Sequence, residues 1–275
     1  MKLMVRTDME GASGIVSYCQ AEVGAAEYAE GRRFFLSDLR ALLRGLNAGS
    51  GTEVVIYDEH FYGRNIPPDE VPRGVNVYCG KPPYTAGWAG GLDSGFDGLV
   101  LLGFHSKAGT PGALLPHSYE LTNRDIRVDG LSVGEIGLEA MIAGELGVPA
   151  LLMVGDDAGC REAKALMPGI PCVETKKGFC ETGGCIRPLQ DTAAEITEAA
   201  RKLLAGTSPV VKPLVPGKNP TLEIDLAEGS FCDMTAKLYP GSYKDGTVTL
   251  KAPTLCGAWG EFWRMKLAAQ AALQG

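Results

Sequence analysis

Lys2-Leu3-Met4-Val5-Arg6-Thr7-Asp8-Met9-Glu10-Gly11 is the stretch on which the fold turns. Leu3-Met4-Val5 is an apolar run, and Lys2–Thr7 lacks the strict alternation of a half-exposed strand. It therefore reads as a strand buried on both faces. It runs into two carboxylates, Asp8 and Glu10, spaced i and i+2. In an extended segment that spacing puts both side chains on one face. Like charges held so close repel, and a bound cation is the usual relief.

Further apolar runs repeat the pattern. Glu53–Tyr57 leads into Asp58-Glu59-His60, Gly98–Phe104 into His105, and Ala150–Val154 into Gly155-Asp156-Asp157. Between them lie helix-period segments. Phe35, Leu39, Leu42, Leu43 and Leu46 form one stripe in a helix expected over about Glu27–Asn47, which Gly49 and Gly51 stop. Further helices are expected over about Val133–Leu146, Cys160–Leu166 and Asp191–Leu204, and shorter strands at Val75–Cys79 and Cys172–Thr175. Gly11 to about Gly24 reads as a loop, and Asp129-Gly130 between Ile126–Val128 and Leu131–Val133 as a hairpin turn. Alternating strands and helices with near-continuous apolar strands predict an α/β fold, a mostly parallel sheet covered by helices on both faces. Pro209, Pro213, Pro216 and Pro220 mark a change of character. The expected division is a catalytic α/β unit over residues 1–208 and a smaller α+β unit over 209–275. The second unit has strands near Leu222–Leu226 and Thr247–Leu250 and a closing helix over about Trp259–Leu273.

Composition bounds the function classes. In 275 residues, 45% hydrophobic and 21% charged content is ordinary for a soluble globular chain. A net charge of −7 with no long basic run argues against nucleic acid or an anionic membrane as partner. No apolar stretch reaches bilayer length, and Arg6 and Asp8 interrupt any signal-peptide core, so a cytoplasmic location is expected. The eight cysteines include no C-x-x-C pair; Cys180 and Cys185 alone are near neighbours, and reduced thiols are expected.

In open α/β sheets ligands bind beyond the carboxyl ends of the strands. Here four such ends carry carboxylates or imidazole. Of the three histidines, His60 and His105 follow strands directly and His117 sits in the loop after His105. Imidazole with carboxylate is a ligand set for zinc or another first-row metal. More ligands than one tetrahedral zinc needs, with a carboxylate able to bridge, lean toward two ions. Taken singly each residue has a plainer role. Asp8 and Glu10 can cap a loop, and His60 or His105 can be a hydrogen-bonded surface histidine. Ser132-Val133-Gly134-Glu135 reads as a capping box, and Asp157 as a helix cap. Their joint occurrence favours a metal site.

The ordered set Asp8-Met9-Glu10-Gly11, Asp58-Glu59-His60, Gly103-Phe104-His105, Gly109-Thr110-Pro111-Gly112 leading to His117-Ser118, Gly134-Glu135-Ile136-Gly137 and Gly155-Asp156-Asp157 resembles the M55 peptidase family, the DppA-type D-aminopeptidases of bacteria. The resemblance implies a dinuclear zinc aminopeptidase acting on short peptides with an N-terminal D-amino acid. It implies Asp8 as the bridge between two zinc ions, Glu10 and His60 at one, His105 and Glu135 at the other, and His117 as a catalytic histidine that is not a ligand. It also implies a homo-oligomer, a decameric ring. Leu115-Pro116 before His117 is an apolar, rigid departure from the family's pattern.

Nucleophilic hydrolysis lacks support: no cysteine neighbours a histidine and no G-x-S-x-G occurs. Two rivals remain. A two-metal phosphoesterase would need cations aimed at phosphate, for which Lys107 is the obvious candidate. A metal-binding scaffold without catalysis would have no use for His117. Asp156 or Asp157 is a candidate to hold a substrate amine or, preferably, to orient a histidine ligand.

Overall fold

The computed structural model describes residues 1–274, and its first half alternates as the apolar runs suggest: β1 (Lys2–Thr7), α1 (Tyr18–Ala21), α2 (Tyr28–Gly45), β2 (Glu53–Asp58), β3 (Asn76–Tyr78) and β4 (Gly98–Phe104). A hairpin follows, β5 (Asn123–Val128) and β6 (Leu131–Val133), then α3 (Glu135–Glu145), β7 (Ala150–Gly155), α4 (Asp157–Leu166) and β8 (Cys172–Glu174). The chain continues through a second hairpin, β9 (Lys176–Cys180) and β10 (Gly183–Ile186), to α5 (Leu189–Leu204). It ends with β11 (Thr221–Leu226), α6 (Ser230–Leu238), β12 (Tyr243–Lys244), β13 (Thr247–Lys251) and α7 (Leu255–Gln274).

Six strands form one parallel sheet in the order β3-β2-β1-β4-β7-β8. The order reverses at β1 and β4, so the crevice beyond their carboxyl ends is the topological switch point. Alternate residues of the central strands face opposite ways. Leu3, Val5, Val54, Ile56, Val100 and Leu102 pack beneath Phe35, Leu39 and Leu42 of α2 and Ile196 of α5. Met4, Val55, Leu99 and Leu101 belong to a second cluster with Ile136 and Met141 of α3 and Trp259 and Phe262 of α7. Each such side chain contributes roughly 1.5–3 kcal/mol when fully buried, which is why these strands need no polar face. The fold is α/β with both sheet faces covered.

Residues 209–275 supply β11, β12 and β13 to a five-stranded antiparallel sheet, order β12-β13-β11-β5-β6. Its other two strands, β5 and β6, precede α3 in the chain, and Ile126, Leu222, Ile224 and Val248 share the core cluster of α3 and α7. Asp129 and Gly130 take positive φ (52° and 81°), the backbone of the tight turn expected there.

Several elements differ from the sequence reading. The glycine-rich loop holds the short helix α1, started by a Ser17–Gln20 capping box. The hairpin β9–β10 and helix α6 lie in segments without a clear period. Helix α4 begins at Asp157, with Asp156 as its cap, rather than at Cys160. Helix α7 begins at Leu255, a turn before Trp259.

Candidate metal centre

Strand β1 ends at Thr7, so Asp8 and Glu10 do not stand on one face of an extended segment as their spacing suggests. They lie on a turn that folds over the end of β4. Gly11 N–H donates to Gly103 O at 2.7 Å, and a Cβ on Gly11 would sit 1.7 Å from Phe104 O. Gly103 has φ +79°, and a Cβ there would lie 2.0 Å from Asp8 O. No side chain fits at either position. The β4–β7 register also shifts between Leu102 and Phe104, a bulge beside His105.

The turn is held from behind. Buried Lys176, the first residue of β9, donates to Glu10 O (2.5 Å) and Ala12 O (2.7 Å), and Thr175 Oγ1 donates to Gly11 O at 2.6 Å. Burial lowers Lys176 to about 8, partly offset by Asp156 and Asp38. Glu162 on α4 accepts from Lys107 N (2.9 Å) and Gly134 N (3.1 Å), tying the loop after His105 to the start of α3.

Six side chains converge in the crevice. His60 Nδ1 lies 2.9 Å from Asp8 Oδ1 and 3.1 Å from Glu10 Oε2. His105 Nε2 lies 3.3 Å from both Asp8 Oδ2 and Glu135 Oε1. The His117 ring stacks on that of His105, centroids 4.1 Å apart and 7° from parallel, with Nε2 3.9 Å from Glu135 Oε1. Positive φ at Leu115 (53°) turns the chain before His117, so Leu115-Pro116 does not keep the ring out of the crevice.

The second nitrogen of each ring is occupied by a backbone carbonyl. His60 Nε2 meets Ala21 O at 2.8 Å, His105 Nδ1 meets Ser106 O at 2.9 Å, and His117 Nδ1 meets Leu115 O at 3.1 Å. A ring N–H donated there leaves the opposite nitrogen with a lone pair facing the carboxylates, the tautomer a metal ligand needs. Asp8 Oδ2, Glu10 Oε2 and His105 Nε2 are buried without a hydrogen-bond partner. Burial opposes charge on Asp8, but the His105 and His60 rings beside it outweigh that and hold its carboxyl well below the ordinary range. The same pairing raises His60 and His105 against the opposing effect of burial. The cluster therefore draws positive charge.

Two triads are spaced to hold one ion each, Asp8–Glu10–His60 and Asp8–His105–Glu135, their ligand atoms within 4.8 Å of one another. Asp8 belongs to both, one oxygen toward each. A third overlapping set, Glu10–His105–His117, places His117 at the edge of the same space. Two orphaned oxygens and one orphaned nitrogen within this donor set fit a pair of first-row metal ions.

Glu135 does not form the capping box expected from Ser132-Val133-Gly134-Glu135. Gly134 caps α3, Ser132 Oγ donates to Asp125 at 2.5 Å, and Glu135 Oε1 accepts from Tyr119 N at 2.6 Å. Asp58 stands at a strand end too, but both its oxygens hold Asn65, at 2.6 and 2.9 Å. Asp156 is a helix cap, accepting from Gly159 N at 2.6 Å. Asp157 accepts from Gly178 N (2.9 Å) and Arg161 (2.6 Å). Neither aspartate bonds to a histidine or lines the crevice.

A cavity of about 830 Å³ opens over the cluster, floored by Asp8, Glu10, His60, His117 and Glu135. Tyr57, Glu59, Tyr84 and Tyr119 wall one side, and Trp263 and Lys266 of α7 another. Behind the tyrosines Arg6 is wholly buried, 3.4 Å from Glu139 Oε2, donating to Ala89 O and lying 4.4 Å from the Tyr57 ring. Burial pushes the Glu59 carboxyl well above its ordinary range, and the neighbouring Glu139 adds to it.

The family model for M55 peptidases, described as D-aminopeptidase, matches residues 1–260. The chain belongs to that family. It is 30% identical over 255 residues to a D-aminopeptidase of Bacillus subtilis (strain 168), covering 91% of this chain and 90% of that one. Its fold is that of a solved structure, the Zn-dependent D-aminopeptidase DppA from Bacillus subtilis, a self-compartmentalizing protease. The TM-score is 0.88 at 28% identity, covering 98% of each chain.

Within this M55 chain several supporting residues escaped the sequence reading. Lys176 and Glu162 sit in an ordinary strand and an ordinary helix with no local signal. Glu59 was passed over between Asp58 and His60, although alternation along an extended chain points it away from both neighbours.

Proposed function

We propose that this protein is a zinc-dependent aminopeptidase that removes an N-terminal D-amino acid, such as D-alanine, from short peptides or amides. The carrying observation is that one carboxylate, Asp8, belongs to two ligand triads at the floor of a substrate-sized cavity. Asp8, Glu10 and His60 would hold one zinc ion, and Asp8, His105 and Glu135 the other. Two zinc ions would supply Lewis acidity, lowering the pKa of a water and polarising the scissile carbonyl.

The chain's own groups do the rest. Carbonyls of Ala21 and Ser106 fix the ring tautomers, and Tyr119 N–H orients Glu135. His117, turned inward and not in either triad, is placed to hold a proton for the leaving amine or to donate to the oxyanion. The tyrosine wall gives the cavity an aromatic side against which the substrate can pack. Lys107, the cation a phosphoesterase would need, bonds to Ser132 O and Oγ and does not line the cavity.

Assembly into a homo-oligomeric, decameric ring agrees with the self-compartmentalizing relative. Eight free thiols suit a reducing compartment, which supports a cytoplasmic location. Among the described residues no helix is long and apolar enough to cross a membrane.

The test pairs metal analysis with hydrolysis of matched D- and L-aminoacyl amides. About two zinc ions per chain and turnover of the D-amides, with L-amides cleaved at least tenfold more slowly (about 1.4 kcal/mol), is the expected result. Equal rates on both enantiomers would remove the stereochemical claim, and no turnover of any aminoacyl amide would remove the peptidase itself.

A further inference from the structure

Arg6, Glu59 and Glu139 are three buried charged side chains packed against one face of the cavity wall. Glu139 is fully engaged: Oε2 meets Arg6 Nε at 3.4 Å and the Tyr84 hydroxyl at 3.1 Å, and Oε1 accepts from the Tyr119 hydroxyl at 3.0 Å. Glu59 is not. Its Oε1 has only a long contact, 3.5 Å, from the Tyr84 hydroxyl, and its Oε2 is buried with no partner. Among the described residues no lysine or arginine nitrogen lies within ion-pair distance of Glu59. Lys81, on the same cavity, lies over the Trp263 and Tyr119 rings instead. One guanidinium thus faces two carboxyls, and the carboxyl it leaves unpaired is the one that lines the cavity.

A buried carboxyl without a cation partner, on a residue that lines a cavity, is a receptor for an ammonium, which brings both the positive charge and the N–H donors it lacks. Glu59 lines the same cavity as the floor residues Asp8, Glu10, His60 and Glu135. Tyr57 and Tyr84 flank it with aromatic surface that also attracts cations.

We infer that Glu59 receives a primary ammonium group of the substrate, the N-terminal ammonium beside the scissile carbonyl being the one within its reach. This deepens the aminopeptidase reading and rests on it. Such an anchor explains how the cavity would distinguish a free N-terminus from a blocked one, a task to which neither Asp156 nor Asp157 is placed to contribute.

The test measures binding by calorimetry on the zinc-loaded protein, so it needs no turnover. D-Alaninol carries the ammonium and no cleavable bond; 1,2-propanediol replaces that ammonium with a hydroxyl. Wild type should bind D-alaninol about tenfold or more tightly than the diol, and Glu59→Gln should bring the two within about twofold, with zinc content unchanged. Glu22→Gln, which removes an exposed carboxylate from the same cavity, should leave the preference intact. Glu59→Asp, which keeps the charge and shortens its reach, should give an intermediate preference and serves if the glutamine variant does not fold. Nα-Acetyl-D-lysinamide against its norleucine counterpart tests a side-chain ammonium as the occupant. A preference there that Glu59→Gln abolishes keeps the ammonium assignment and moves its source. A preference for D-alaninol that survives in Glu59→Gln with zinc still bound overturns the inference, whether or not the enzyme cleaves D-amides.

Discussion

Two buried charge clusters meet at one cavity, and they are built on opposite plans. Around Asp8, Glu10, His60, His105 and Glu135, carboxylates and imidazoles are gathered with no lysine or arginine among them, and three buried atoms are left without partners. Behind the tyrosines, the second cluster brings its own guanidinium, although Arg6 Nε and Nη1 and Glu59 Oε2 are likewise buried without hydrogen-bond partners. Arg6 touches Glu139, Ala89 O and the faces of Tyr57 and Tyr84, and two tyrosine hydroxyls complete Glu139. Burying unpaired charge is expensive in either place. The Arg6 cluster is partly neutralised within the fold, whereas the unsatisfied atoms of the first cluster are all of metal-binding type and suit a cation from solution.

The largest effect expected from this contrast is at Asp8. Asp8→Ala removes a ligand from both triads at once, so both ions should be lost and turnover of D-amides should fall by about a thousandfold or more. A readout independent of activity is the thermal shift on adding zinc. Ligand at a thousand times its Kd stabilises the native state by about 4 kcal/mol, and that increment should disappear in Asp8→Ala. Retention of one tightly bound zinc would show that the triads are independent and that Asp8 is no bridge.

Next in size is the removal of the other cluster's cation. Arg6→Met leaves Glu139 and Glu59 buried without a guanidinium, and breaking a buried pair in this way costs about 3–5 kcal/mol. Urea unfolding should register that loss while zinc per chain stays at the wild-type value. A loss below about 1 kcal/mol, or a loss of zinc with the fold intact, would show that the two clusters are not separate in function.

The same contrast explains what was legible in the sequence. Strands β1, β2, β4 and β7 announce themselves because burial on both faces demands unbroken apolar runs. Their carboxyl ends then place His60 and His105 by position alone. Asp8 and Glu10 were legible as a pair, although the turn clamped by Lys176 brings them together rather than strand alternation. Glu135 was not legible from local pattern: Ser132-Val133-Gly134-Glu135 fits a capping box, and only the ordered motifs of the M55 family pointed elsewhere. Arg6 was read only as a charge that breaks a signal-peptide core, yet it packs inside the buried strand because Glu139 and Tyr84, distant in sequence, neutralise and cover it. Such partners cannot be seen from one residue's neighbours. Hairpin β9–β10 was missed for a related reason. Its strands are short and largely exposed, so no apolar run marks them, and it matters because its first residue is Lys176.

His117 tests where the two plans divide, because it touches the metal cluster without belonging to either triad. Its ring is fixed by stacking on His105 and by the Nδ1 contact with Leu115 O, which leaves Nε2 turned toward Glu135 and the cavity. His117→Ala should therefore keep both zinc ions and the full zinc-dependent thermal shift, while kcat falls about a hundredfold, the low end for loss of a general acid or base. An equal fall in kcat and kcat/KM would place its contribution in the transition state rather than in substrate binding. Loss of zinc in this variant would instead make His117 a ligand through the overlapping Glu10–His105–His117 set. Unchanged kcat with zinc retained would reduce the stacked ring to a support for His105.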